Sequence, residues 1–161
     1  MPRFIFAIFA LLLAAVVPGA LAVDYTQTSM TFPTGLTVPD GSDNVVIDNC
    51  DITGRLEVGT VNSGKTVEIK NSRIAHTAHA VVFANALTGV PILVADTTIS
   101  VAVNTNDFIM WFSGALVSSP LTIARCTWTN KVTIYSGGVR YGSTSTDSGI
   151  TITDSLIDIR F

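Results

Sequence analysis

The sequence predicts an all-β fold, a single-stranded parallel β-helix (β-solenoid) of about five coils of 22–29 residues. Three observations predict it. Five segments align without gaps, they recur at a spacing of 22–29 residues, and the apolar positions inside each alternate as they do in a strand.

The segments are Val45–Ile52, Val67–Ile74, Ile92–Ile99, Leu121–Trp128 and Ile150–Ile157. Each reads apolar, x, apolar, x, Asn/Asp/Arg, small, x, large apolar. The fifth positions are Asn49, Asn71, Asp96, Arg125 and Asp154, spaced 22, 25, 29 and 29. A second echo has the same step: Ala86-Leu-Thr-Gly-Val-Pro91 and Ala115-Leu-Val-Ser-Ser-Pro120 lie 29 residues apart. Val, Ile and Thr dominate the segments, which is strand chemistry.

In chain order, residues 1–22 read as a secretory signal peptide. Arg3 supplies the positive start, Phe4–Val17 an apolar run of 14 residues, and Ala20-Leu21-Ala22 a cleavage site. Fourteen apolar residues fall short of the ~20 that span a bilayer. Residues 23–44 read as an N-terminal cap or partial coil, with Leu36 and Val38 facing inward and Pro39-Asp40-Gly41 turning the chain. Residues 45–161 are the repeats. Ile47, Ile69, Val94, Ile123 and Ile152 should form one interior ladder, and Ile52, Ile74, Ile99, Trp128 and Ile157 another. Further strands are expected at Leu56–Val58, Val81–Phe83, Ile109–Phe112 and Val132–Tyr135. Turns are expected at Asn62–Gly64, Ser136–Gly138 and Gly142–Gly149.

The Asn/Asp position is expected to be a corner, because these residues tolerate left-handed backbone and hydrogen-bond their own turn. Arg125 breaks the pattern and predicts a different turn in its coil. A leucine-rich repeat shares part of the pattern. It wants another Leu three positions before each segment, where this chain has Ser42, Gly64, Gly89, Ser118 and Asp147, and only seven Leu follow residue 22. The abrupt end at Leu156–Phe161, without a polar cap, predicts a fragment of a longer protein or a last coil that meets a partner.

Composition sets outer limits. The 161 residues are 48% hydrophobic and 13% charged, with net charge -3. That argues against a nucleic-acid partner, which needs a basic footprint, and against disorder. Cys50 and Cys126 occupy the same position of coils three steps apart. At about 4.8 Å per step they stand too far apart for a disulfide. They are expected to be free, buried thiols.

Candidate chemistry is sparse. Parallel β-helices resemble pectate lyases and polygalacturonases, and such sites need clustered Asp on one exterior face with Arg or Lys nearby. The closest element is Asn104-Thr-Asn-Asp107, read here as a polar loop. Asp48 and Asp51 flank a corner and face solvent. Asp96 and Asp154 are turn residues rather than calcium ligands. His76 and His79 lack a nearby third ligand and read as an exposed loop. Trp128 replaces an inward Ile and belongs to the core. Phe108-Ile-Met-Trp-Phe112 must point some large apolar side chains outward, as a partner-binding patch or beneath a folded-back loop. No catalytic, cofactor-binding or metal-ligating residue is assigned, and no cofactor is expected.

The signal peptide followed by coils such as Val45-Val-Ile-Asp-Asn-Cys-Asp-Ile-Thr-Gly-Arg-Leu-Glu-Val58 and Val67-Glu-Ile-Lys-Asn-Ser-Arg-Ile-Ala75 resembles the dispersed gene family surface proteins of trypanosomes. The resemblance implies a secreted or cell-surface protein, and this chain would be an N-terminal fragment of one. It implies adhesion or binding of host glycans or extracellular proteins, with membrane association only through regions absent from this chain, and no catalytic residues. The expected function is therefore non-catalytic adhesion or ligand binding. A carbohydrate-active enzyme of lyase or hydrolase type, or its inactive remnant, is the alternative. A structural spacer of a larger surface protein is another.

Overall fold

A computed structural model describes residues 23–102, 108–130 and 137–159. Among these, every strand pairing is parallel and there is no helix. The chain is a parallel β-solenoid. Its first face stacks six strands, Tyr25–Thr28, Val45–Asp48, Val67–Lys70, Ile92–Ala95, Leu121–Ala124 and Ile150–Thr153. The second stacks Thr31–Phe32, Asp51–Thr53, Arg73–His76, Thr98–Val101, Thr127–Asn130 and Leu156–Ile159. The third stacks Leu36–Val38, Leu56–Val58, Val81–Phe83, Phe108–Phe112 and Gly137–Tyr141. A short fourth face, Leu87–Thr88, Leu116–Val117 and Ser145–Thr146, appears only in the later coils.

The register agrees with the sequence alignment. Ile47, Ile69, Val94, Ile123 and Ile152 are successive Cα partners, as are Ile52, Ile74, Ile99, Trp128 and Ile157. The first four of each ladder are fully buried. Ile152 is 49% exposed, because no described coil stacks on it. Residues 25–38 make three strands in register with the next coil, and Leu36 and Val38 are buried. The core is continued on the third face by a stack of Phe83, Phe112 and Tyr141, with ring centroids 4.5 and 5.4 Å apart. Trp128 lies in the core, as its alignment with Ile predicts.

Each coil turns from the first face to the second through one left-handed residue. Ser29, Asn49, Asn71, Asp96, Arg125 and Asp154 have φ between 50° and 56°. Arg125 therefore turns like the rest, contrary to the sequence expectation. A left-handed residue other than Gly costs about 1 kcal/mol. Bonds between coils offset that at Arg125: its N–H donates to the Thr153 carbonyl at 3.0 Å, and its guanidinium grips the Asp96 carboxylate at 2.7 and 2.6 Å.

The small residue after this corner has a defined task. The Ser72 hydroxyl donates to the Lys70 carbonyl at 2.6 Å and accepts the Cys50 N–H at 3.0 Å. Thr97 and Ser155 repeat the arrangement on Ser72 and Cys126. A second corner repeats it again, with Ser118 and Asp147 left-handed and the Ser119 and Ser148 hydroxyls accepting the Val90 and Ser119 N–H groups. A hydroxyl placed here satisfies a buried N–H that the turn leaves unpaired. Cys50 and Cys126 occupy the first of these corners as free, buried thiols, donating to the Asp48 and Ala124 carbonyls at 3.3 Å.

Two turn expectations are corrected. Gly137 and Gly138 begin a third-face strand paired with Phe108–Phe112 instead of forming a turn. The polar run Gly142–Gly149 contains the strand Ser145–Thr146. Both segments are low in apolar residues, and pairing with the preceding coil imposes the strand. The expected strand at Val132–Tyr135, the leader at 1–22 and the Asn104–Asp107 element lie outside the described residues.

Candidate functional site

Most described acidic side chains tie coils together. Asp51 holds Arg73 at 2.7 Å, Asp48 accepts the Asn71 amide at 2.8 Å, and Asp43 accepts the Asn62 amide at 3.0 Å and faces Lys65 at 3.3 Å. Asp40 Oδ1 accepts the Thr60 N–H and hydroxyl and the Asn85 amide, at 2.6, 2.9 and 2.8 Å. These bonds, the Thr60 N–H first, hold the Asp40 carboxyl below its ordinary pKa. The Asn62 amide does the same for Asp43, and the Arg125 guanidinium for Asp96. Asp96 and Asp154 are corner residues, as expected. Among the described residues no three His, Cys, Asp or Glu converge as a metal site.

Two surface regions stand out among the described residues, one beside His79 and one beside His76, which ends the strand Arg73–His76 and is half-buried rather than in the exposed loop expected from the sequence. The first is an aromatic patch on the third face. Strand register places Thr37, Glu57, Val82, Trp111 and Arg140 in one outward ladder, although Val82 within it is buried. Phe112 and Met110 point inward and are buried, so Trp111 takes the outer surface and stays half-exposed. His79 does not sit in a solvated loop as the sequence suggests. Its ring meets Trp111 edge-on at 4.6 Å and stacks on Phe108 at 5.7 Å, and its Nδ1 accepts the Phe108 N–H at 3.0 Å. The Arg140 guanidinium lies over the Phe108 ring, 4.9 Å from its centroid. Gly142 leaves room for the indole: a Cβ there would stand 3.1 Å from Trp111 Nε1. That Nε1 is buried and has no hydrogen-bond acceptor.

The second region is a trough along the corner between the second and third faces. One part, of about 390 Å³, is lined by Thr34, Thr53, Gly54, Ala75, His76 and Ser100. The adjoining part, of about 480 Å³, is lined by Thr34, Gly35, Thr37, Arg55, Glu57 and His76. Its depth comes from glycine. Gly35 and Gly54 have φ of 98° and 139°, and a Cβ on Gly54 would fall 2.5 Å from the Gly35 nitrogen. Successive coils therefore close tightly at this corner and leave a shallow, open depression outside it.

The sequence took His76 and His79 as one pair and Trp111 apart from them; the fold instead sets His79 against Trp111 and His76 in the trough. Arg55 escaped the sequence reading. It lies in a corner between two of the aligned segments, so no repeat signal marks it.

In comparisons with protein-family models, curated proteins and solved structures, nothing matches this chain.

Proposed function

We propose that this chain is a secreted or cell-surface β-solenoid that acts by adhesion, binding an extracellular glycan or protein ligand without catalysis. The observation that carries the reading is the outward Trp111, framed by His79, Phe108 and Arg140. A flat aromatic beside hydrogen-bond donors suits the apolar face and hydroxyl groups of a sugar ring, and equally an aromatic or acyl group of a protein. Most of the described acidic side chains on the coil exterior serve bonds between coils, which agrees with a binding module. The apolar leader supports a secreted or surface location. The resemblance to the dispersed gene family surface proteins of trypanosomes supports the same setting.

The test is incubation of the purified chain with host glycans and acidic polysaccharides, with and without calcium, reading binding and chain shortening together. Binding without shortening is expected, and Trp111→Ala should weaken it about tenfold, a loss of roughly 1.4 kcal/mol. Shortening of any polysaccharide would replace this reading with that of a carbohydrate-active enzyme. No binding to glycans or to extracellular matrix proteins would leave a structural spacer.

A further inference from the structure

We infer that the cleft around Arg55 is a subsite for the carboxylate of a sugar acid, distinct from the Trp111 patch. The described arginines differ in how they are used. Arg73 and Arg125 hold an aspartate of the preceding coil at 2.7 and 2.6 Å, and Arg140 covers Phe108. Among the described residues Arg55 has only Glu57, at 3.9 Å from one terminal nitrogen; its Nε is buried, which leaves the terminal nitrogens to meet a ligand. A guanidinium offers a planar fork of donors that a carboxylate fills with two parallel bonds. Arg55 lines the 480 Å³ cleft, and among the described residues Glu57 alone approaches its terminal nitrogens.

The rest of the lining narrows the ligand class. Glu57 shares the cleft, so the local charge suits a single anionic group rather than a polyphosphate. Thr34 and Thr37 are exposed and bring hydroxyl groups to the same opening. Thr34 and His76 also border the adjoining part of the trough, where Gly54 and Ala75 are too small to block a ring. A carboxylate on Arg55, ligand hydroxyls on the threonines and a ring lying toward Gly54 and Ala75 together describe a sugar acid.

Isothermal titration of the purified chain with sodium glucuronate and sodium N-acetylneuraminate tests this, with methyl glucoside and sodium acetate alongside. At least one sugar acid should bind more tightly than both controls. Arg55→Gln should weaken that binding about tenfold or more, as should Thr37→Glu, which places a second negative charge at an exposed position. Both variants should keep the wild-type melting temperature and any binding that depends on Trp111. Absence of sugar-acid binding by the wild-type chain would overturn the inference. So would equal binding of methyl glucoside or acetate, or undiminished binding by folded Arg55→Gln. The Trp111 dependence is read separately, so failure here leaves the adhesion reading to its own test.

Discussion

Ser72→Ala tests the logic of the corners most directly. The Ser72 hydroxyl closes two bonds inside the stack, 2.6 Å to the Lys70 carbonyl and 3.0 Å from the Cys50 N–H. Ser72 is 5% exposed and Cys50 3%, so water cannot replace the lost oxygen without opening the coil. Leaving one buried N–H unpaired costs about 1–3 kcal/mol. Ser155 provides the internal control. Its hydroxyl makes the same two bonds, 3.0 Å from the Cys126 N–H and 2.8 Å to the Thr153 carbonyl, but it is half-exposed on the last described coil. Water can take its place there, and Ser155→Ala should cost about 0.5 kcal/mol. Ser72→Cys should fall between the two, because Cys50 and Cys126 already fill this corner. Urea unfolding followed by tryptophan fluorescence and by circular dichroism measures all three. Equal costs for Ser72→Ala and Ser155→Ala, or a Ser72→Ala cost below about 0.5 kcal/mol, would refute the claim that burial of the accepted N–H sets the energy.

Other consequences follow from the same geometry. Trp128→Ala empties the largest buried side chain in a ladder of Ile that begins at Phe32 and should destabilise by about 3–5 kcal/mol in the same unfolding assay. Asp96 is held below its ordinary pKa by Arg125, so its contribution is complete above the ordinary carboxylate range and is lost as pH falls through its lowered value. Acid titration should therefore show a loss below about pH 4 that is smaller in Asp96→Asn. Burial pushes the Cys126 thiol above its ordinary pKa, and both cysteines are buried and unpaired. A thiol reagent should therefore react with them slowly in the native chain and rapidly in urea.

The parallel coil, its two principal ladders and the free thiols were legible in the sequence, because they depend only on alternation and on a repeating step. Side chains of a strand alternate by necessity. A gap-free alignment then fixes which residues stand above one another: Ile47 over Ile69 and Ile99 over Trp128 follow from counting. What counting could not show is what a neighbouring coil imposes. Arg125 is a poor left-handed residue by itself, yet it adopts φ 51° because the coils on either side dictate the corner and Asp96 receives its guanidinium. Gly137 and Gly138 carry turn propensity but extend beside Phe108–Phe112.

The candidate sites divide in the same way. Outward placement of Trp111 needed only a choice of strand parity, which the sequence left open and the inward packing of Met110 and Phe112 decided. Its association with His79, 32 positions earlier, and the shared cleft of Arg55, Thr37 and His76 exist only when coils stack. Sequence by itself determined the period and the interior, since burial of apolar side chains every second residue is a local property of a strand. Tertiary structure alone decided the corners and the outer surface. There, residues 20–29 positions apart become neighbours, and one coil supplies the hydrogen-bond acceptors or the open space that the next requires.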